Sequence, residues 1–264
     1  MKIIGEHLRL AADYLGYRLT AKTRYGIHSP FIFSLMNEVF YDKQKYPAFE
    51  QIDRLRERLL KDTTVLPTKE AGAHSKTLSA QRTVQDITRI TAVPPKYGQL
   101  LFRLVKYFKP HAILELGTGP GISTLYMAMA APQATCITLE GDPMLAELAR
   151  KNFADFNLPG LTVREGLLQE TLPEALHMLN KVQFVFIDAD HRKESLLANL
   201  KQCLPFLDTV SVVVLDDINW SVDMKEAWKE IISLPEVIIS IDIFRMGILC
   251  FRPGIPKQHF KILY

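Results

Sequence analysis

Residues 113–124 have the sequence ILELGTGPGIST, an apolar run that leads directly into a loop with glycine at every second position. The run predicts a buried strand, and the segment ISTLYMAMA that follows predicts a helix. Gly117, Gly119 and Gly121 let the backbone come close to a ligand, because glycine has no side chain and adopts positive φ readily. The stretch therefore predicts a strand, a ligand-binding loop and a helix in succession.

The same alternation continues to the end of the chain. Apolar strand-like runs separated by helical patterns predict a mostly parallel sheet covered on both faces. The predicted strands are AILELG, ATCITLE, LTVRE, VQFVFID and TVSVVVLD, followed by EVIISIDIF and GILCFRP. Only Arg245-Met246 separates the last two, which requires an antiparallel hairpin. Residues 111–264 are thus predicted to form a doubly wound α/β domain with a seven-stranded sheet that ends in this hairpin.

The first 110 residues differ in pattern and in charge. Apolar residues recur at helical spacing in IIGEHLRLAADYLGYRL, FIFSLMNEVF, FEQIDRLRERLL and YGQLLFRLVKYF, whereas residues 68–79 predict a loop. This region holds 19 Lys and Arg against 10 Asp and Glu, while residues 111–264 hold 13 against 19. Residues 1–110 are therefore predicted to be a basic helical lobe, although solvated helix faces would also explain its charge.

Composition limits the class of protein. No apolar run approaches the ~18 residues that a membrane span needs, and the N-terminus lacks the apolar block of a signal peptide. The three cysteines, Cys136, Cys203 and Cys250, are far apart and fit neither a zinc site nor a disulfide framework. These features predict a cytoplasmic protein.

Glu140 ends the second predicted strand about 20 residues after the glycine loop. Doubly wound folds place an acid there to accept hydrogen bonds from ribose hydroxyls. The nicotinamide fingerprint would need a glycine at position 122, where this chain has Ile122, so a dehydrogenase is disfavoured. For Glu115, both direct ligand contact and bracing of the loop remain open.

The motifs ILELGTGPGIST and ITLEGDP resemble the first and second motifs of the class I S-adenosylmethionine-dependent methyltransferases. That superfamily has a Rossmann-like, seven-stranded sheet that ends in an antiparallel hairpin, and the resemblance covers residues 111–264. It implies S-adenosylmethionine as cofactor, with the glycine loop against its methionine part, Glu140 on the ribose and the segment after Glu165 near the adenine. The cofactor residues that it implies are Glu115, Gly117, Thr118, Gly119, Gly121, Glu140, Gly166, Leu167 and Asp188. Many members carry an aspartate where this chain has Leu167. Members usually carry their specificity in appended helices, so the resemblance also implies that residues 1–110 are a lid or substrate region.

Carboxylates end the fourth and fifth strands, in FIDADH (186–191) and VVVLDDINW (212–220). Because ligands gather at the carboxyl ends of parallel strands, we expect Asp188, Asp216 and Asp217 to converge on the rim that carries the glycine loop. Two adjacent carboxylates repel each other, so a bound cation, a helix N-terminus or a cationic substrate has to offset that cost. Oxygen ligands of this kind suit Mg2+.

FIDADH followed by VLDDINW is similar to motifs of the metal-dependent small-molecule and sugar O-methyltransferases. The resemblance implies that Asp188, Asp216 and Asp217 hold a divalent metal, with magnesium as the expected ion. It also implies that Asp188 belongs to the catalytic set. His191 stands where the catechol-type members have lysine, and the sugar-modifying members have a histidine base in an Asp-x-x-His arrangement. His191 is therefore the candidate general base.

These observations favour an enzyme that methylates a hydroxyl of a small-molecule acceptor. One alternative keeps the fold but needs no metal and transfers the methyl group to nitrogen or oxygen. Another is a non-catalytic RNA-binding module with a vestigial cofactor site, which is disfavoured because no arginine-rich stretch or interleaved aromatic pattern is present. Nucleic acid is therefore not the expected partner, and a homodimer is the assembly that the resemblance suggests.

Overall fold

The computed structural model describes residues 2–67 and 81–264, so the predicted loop at 68–79 lies outside the described residues. The chain forms two compact units. We call Asp42–Asn180 the glycine-loop unit, and Met1–Tyr41 together with Lys181–Tyr264 the carboxylate unit. The predicted boundary at residue 110 therefore does not separate the compact units, since the chain up to Tyr41 packs with the C-terminal residues.

The glycine-loop unit is built on three parallel strands. Strands β3 (Ala112–Leu116), β4 (Thr135–Glu140) and β5 (Leu161–Glu165) pair in that order, with Ile113 opposite Cys136 and Cys136 opposite Leu161. Helices α6 (Ile122–Ala130), α7 (Pro143–Phe153) and α8 (Leu168–Leu179) follow these strands. Every residue of β3 is buried, as its uninterrupted apolar run predicts.

Helices and a short strand pair precede these strands in the same unit. Helices α3 (Pro47–Leu59) and α5 (Pro95–Phe108) confirm two of the predicted helices. Helix α4 (Val84–Thr91) was not predicted, although its N-cap Thr83 accepts a hydrogen bond from the Asp86 N–H and supplies a start signal in the sequence. Strands β1 (Val65–Pro67) and β2 (Gln81–Thr83) pair antiparallel and were also missed.

The carboxylate unit contains the remaining strands. Strands β6 (Phe184–Ile187) and β7 (Val212–Leu215) are parallel, and all their residues are buried. Strand β9 (Gly247–Cys250) runs antiparallel to both β7 and β8 (Ile239–Asp242), which confirms the predicted hairpin. The connection is longer than predicted, since β8 ends at Asp242 while β9 begins at Gly247 as predicted, so that residues 243–246 form the turn. Helices α9 (Lys193–Cys203) and α10 (Val222–Ser233) follow β6 and β7.

The ends of the chain meet within this carboxylate unit. The helices predicted there are α1 (Lys2–Thr20) and α2 (Pro30–Leu35), the latter continued by a π-helical turn at Met36–Phe40. An additional strand, β10 (Gln258–Lys261), pairs parallel with β8 and was not predicted. The buried Tyr17 hydroxyl of α1 donates a hydrogen bond to the Ile262 carbonyl just beyond β10.

The α/β fold class is confirmed by these parallel strands with their intervening helices. Apolar strand residues form the core of each unit, as periodicity and composition predict. Among the described helices, none is long and apolar enough to cross a membrane.

Candidate active site

The glycine loop connects β3 to α6 in a conformation that depends on its glycines. Gly117, Gly119 and Gly121 all have positive φ, at 92°, 54° and 84°. The Gly117 N–H donates to the Leu139 carbonyl at 3.0 Å and so fixes the start of the loop beside the end of β4. Gly121 is the N-cap of α6. Backbone conformation and this backbone hydrogen bond thereby fix the two ends of the loop.

Two of these glycines have different surroundings. A Cβ at Gly121 would lie 2.3 Å from Cε1 of Phe153, the last residue of α7. Among the described residues, a Cβ at Gly119 would meet Thr91 alone, at 3.4 Å from Oγ1 and 3.8 Å from Cβ. Gly121 is therefore required by packing as well as by backbone conformation, whereas Gly119 is required by conformation alone.

Glu140 closes the same loop from the end of β4. Its Oε2 accepts hydrogen bonds from the backbone N–H groups of Thr118 and Gly119, at 3.2 and 2.9 Å, and its Oε1 accepts from the Asp142 N–H at 2.9 Å. Burial raises the pKa of this carboxyl above its ordinary value, while these hydrogen bonds act in the opposite direction. A carboxylate offers about four acceptor positions, so about one remains for a ligand hydroxyl.

Glu115 is fully buried and braces the loop from inside. Its Oε2 accepts hydrogen bonds from Thr138 Oγ1 at 2.7 Å and from Thr124 Oγ1. Burial raises the pKa of Glu115 to about 7, and the hydroxyl hydrogen bonds oppose that shift. Within the described part of the chain, Oε1 has no hydrogen-bond partner. Bracing is thus what the contacts support, and ligand contact by Glu115 stays a prediction.

Gly166 and Leu167 lie at the end of β5, in the turn that begins α8. Gly166 has a φ of 140°, and its N–H donates to the Glu140 carbonyl at 2.9 Å. Leu167 is the N-cap residue of α8, and its side chain is exposed. An exposed apolar side chain beside the Glu140 strand end suits the predicted adenine contact, which stays a prediction.

In the carboxylate unit, Asp188 follows β6 and lies near His191. The His191 Nε2 atom is 3.7 Å from Asp188 Oδ1, and the two side chains are 38 % and 18 % exposed. This separation is too long for a direct hydrogen bond. Asp190, which lies between these two residues in the sequence, accepts two hydrogen bonds from Arg192.

Asp216 follows β7 and is held by Arg245, a residue that the sequence analysis did not identify as functional. Arg245 Nε donates to Asp216 Oδ1 at 2.9 Å, and one terminal guanidinium nitrogen donates to Oδ2 at 2.7 Å. The Asp216 side chain is 0 % exposed, whereas that of Arg245 is 30 % exposed. This two-pronged geometry is the strongest that an arginine and a carboxylate form.

Asp217 lies beside the same guanidinium in a left-handed backbone conformation, with a φ of 53°. Its Oδ1 is 3.5 Å from the terminal Arg245 nitrogen that donates to Asp216 Oδ2. Burial raises the pKa of the Asp217 carboxyl, and the adjacent Asp216 charge raises it further, whereas Arg245 and His191 act in the opposite direction. One guanidinium therefore offsets the repulsion between two neighbouring carboxylates.

The hairpin topology brings Arg245 to this place. Leu215, the last residue of β7, pairs with Gly247, the first residue of β9, so the turn at 243–246 lies beside the residues that follow β7. The Ile218 N–H donates to the Arg245 carbonyl at 3.0 Å, and Asn219 Nδ2 donates to the Phe244 carbonyl at 2.7 Å. An antiparallel neighbour of the fifth strand was the signal in the sequence that could have identified Arg245.

The predicted metal ligands do not fit this arrangement as a three-carboxylate site. Across residues 2–67 and 81–264, no three or more His, Cys, Asp or Glu side chains form a group that could hold a metal ion. Both Asp216 oxygens accept hydrogen bonds from Arg245, so a metal there would have to displace the guanidinium. Asp216 and Asp217 do lie together, as predicted, but the cation between them in this structure is Arg245.

Residues 114–218 match a family described as a methyltransferase domain. A catechol O-methyltransferase of Niastella koreensis is 37 % identical over 102 residues, which are 38 % of this chain and 46 % of that protein. A catechol O-methyltransferase of Mycobacterium tuberculosis is 33 % identical over 129 residues, which are 48 % of this chain and 57 % of that protein. The matched segments thus span about half the length of these relatives.

Solved structures extend the likeness over most of the chain. The S-adenosylhomocysteine-bound structure of a Podospora anserina methyltransferase aligns with 81 % of this chain and 91 % of its own, with a TM-score of 0.58 and 16 % identity. At this identity the alignment shows a shared fold. Together with the matched domain, it confirms the resemblance to the class I methyltransferases.

The two glycines give a prediction that separates packing from conformation. Gly121→Ala should lower the free energy of unfolding by about 3 kcal/mol or more, because the new Cβ adds a clash with Phe153 to the left-handed strain. Gly119→Ala, the matched control, should lose about 1 kcal/mol, since only the strain applies. Urea unfolding of both variants and the wild type measures the difference, and equal losses would contradict this account of Gly121.

Glu115 gives a prediction for pH. Its pKa of about 7 exceeds the ordinary value of 4.5, so the folded chain keeps a proton that the unfolded chain releases between these values. The free energy of unfolding therefore falls as pH rises through this window, by about 3 kcal/mol relative to Glu115→Gln. Urea unfolding of both proteins from pH 4.5 to 7.5 measures the difference, and a constant difference would contradict the raised pKa.

Proposed function

We propose that this chain, whose residues 114–218 match a methyltransferase domain, is an S-adenosylmethionine-dependent O-methyltransferase that acts on a small hydroxylated acceptor. The observation that carries the proposal is the glycine loop, whose glycines have positive φ. Two of its backbone N–H groups donate hydrogen bonds to Glu140 at the end of the neighbouring strand. The relatives named O-methyltransferases support the choice of oxygen as the methylated atom.

The glycine-loop unit supplies the residues for the cofactor. Gly117, Gly119 and Gly121 lack the side chains that would block a close ligand, and an exposed Leu167 offers an apolar surface near the end of β5. Glu140 keeps about one acceptor position after its three backbone hydrogen bonds, which suits one ribose hydroxyl better than two. S-adenosylmethionine, when bound, supplies an electrophilic methyl group.

His191 is the proposed general base. Its imidazole is partly exposed, and Nε2 lies 3.7 Å from Asp188 Oδ1. A neutral imidazole can accept the proton of an acceptor hydroxyl as a general base. The acceptor oxygen would then take the methyl carbon that S-adenosylmethionine supplies, and the sulfur would keep the electron pair of the broken bond. The proton passes from His191 to solvent.

The metal-dependent form of the reaction stays a prediction from the resemblance. In that form Asp188, Asp216 and Asp217 would hold Mg2+, which would acidify the acceptor hydroxyl. The hydrogen bonds from Arg245 to both Asp216 oxygens favour the second candidate, a methyltransferase of the same fold that needs no metal. No step of the mechanism proposed for His191 depends on a metal.

The location, the assembly and the partners of the chain are predictions from the sequence. The three cysteines are free and buried, which agrees with the predicted cytoplasmic location, itself still a prediction. The predicted homodimer, the absence of a nucleic-acid partner and the role of the basic N-terminal residues also stay predictions.

Cofactor binding tests this proposal. S-adenosylhomocysteine should bind the wild type with a micromolar Kd in calorimetry, and Glu140→Gln should weaken binding about tenfold or more, because a charged acceptor is lost. Glu147→Gln is the matched control, since Glu147 lies on the exposed face of α7 and should leave the Kd unchanged. Absence of binding by the folded wild type would refute the proposed function.

A further inference from the structure

Arg245 joins two adjacent carboxylates that the resemblance would assign to a metal. Its terminal nitrogen lies 2.7 Å from Asp216 Oδ2 and 3.5 Å from Asp217 Oδ1. A positive charge at that one point therefore attracts an oxygen from each residue. For a divalent cation at the same point, Asp216 Oδ2 would have to approach by ~0.7 Å and Asp217 Oδ1 by ~1.5 Å to reach the ~2 Å distances that Mg2+ prefers.

The surroundings make the Arg245 contact hard to replace. Asp216 is buried completely, and an unpaired buried carboxylate would be strongly destabilising. The Arg245 guanidinium donates hydrogen bonds to both Asp216 oxygens. The backbone carbonyl of Arg245 accepts a hydrogen bond from the Ile218 N–H. A metal could bind Asp216 only after breaking both charge-assisted hydrogen bonds and leaving the Arg245 charge without that partner.

We propose that Arg245 is the resident cation of this carboxylate pair and takes the place of a divalent metal. It is a positioning residue that holds Asp216 and Asp217 and excludes metal from them. The consequence for catalysis, methyl transfer without metal and with His191 as base, rests on the proposed function. The exclusion of metal rests only on the contacts of Arg245.

The test is Mn2+ binding to the chelator-treated chain without cofactor, measured by electron paramagnetic resonance. The wild type should leave Mn2+ free at millimolar concentration. Arg245→Met should bind one Mn2+ at submillimolar Kd, since removing the guanidinium leaves two close carboxylates without their cation. Removing a residue that has only a structural role would not give the chain affinity for a metal.

Three further variants make this comparison specific. Arg245→Met/Asp216→Asn should lose the acquired Mn2+ site. Arg192→Met is the matched control, because Arg192 also makes a two-pronged contact, with Asp190, and its removal should create no Mn2+ site. If Arg245→Met does not fold without metal, Arg245→Gln replaces it, because the neutral amide can still donate a hydrogen bond to Asp216 but carries no charge that competes with Mn2+.

Stability gives a second readout that is independent of activity. Mn2+ should raise the Tm of Arg245→Met and leave that of the wild type unchanged, because a ligand stabilises only a folded state that binds it. Wild-type binding of Mn2+ that Asp216→Asn abolishes would overturn the proposal. So would the absence of Mn2+ binding by folded Arg245→Met, or by Arg245→Gln where that variant replaces it. Neither result depends on S-adenosylhomocysteine binding, so the proposed function can fail separately.

Discussion

The contact between Arg245 and Asp216 is the constraint on which the carboxylate unit depends. Two consecutive aspartates after a buried strand are unstable unless a positive charge lies beside both, and the guanidinium provides that charge within 3.5 Å of each. Because the arginine comes from the turn of the β8–β9 hairpin, the site requires β9 to run antiparallel beside β7. Sheet topology and site electrostatics are therefore linked in this unit.

The glycine-loop unit uses a carboxylate in a different way. Glu140 accepts its hydrogen bonds from the backbone of the loop and of the segment after β4, so a strand end and the glycine loop share one charged group. Glu115 supports the loop from the core, where two threonine hydroxyls replace the water that burial removes. The residues expected to bind the cofactor therefore also maintain the shape of its loop, and variants at these positions have to be separated by stability measurements.

Much of the fold followed from the sequence because apolar periodicity and glycine spacing are local signals. The strand–loop–helix unit at 112–130, the parallel strands and the final hairpin are examples. Strand β10 was missed because its four residues, QHFK, are largely polar and carry no buried-strand pattern. Arg245 was missed because its role depends on a turn of four residues, with Phe244 at a φ of 69°, that aligns it with residues about 30 positions earlier. The sequence showed that the charge of the aspartate pair had to be offset, but not by which group.

The central claim is methyl transfer to oxygen without metal, and the most direct measurement supplies S-adenosylmethionine with an isotope-labelled methyl group. The chelator-treated wild type is mixed with a panel of phenols and sugars, and labelled products are identified by mass spectrometry and nuclear magnetic resonance. The account predicts labelled methyl ethers that form at the same rate with and without added Mg2+. Methyl transfer that occurs only when Mg2+ is restored, or only to nitrogen, would contradict it.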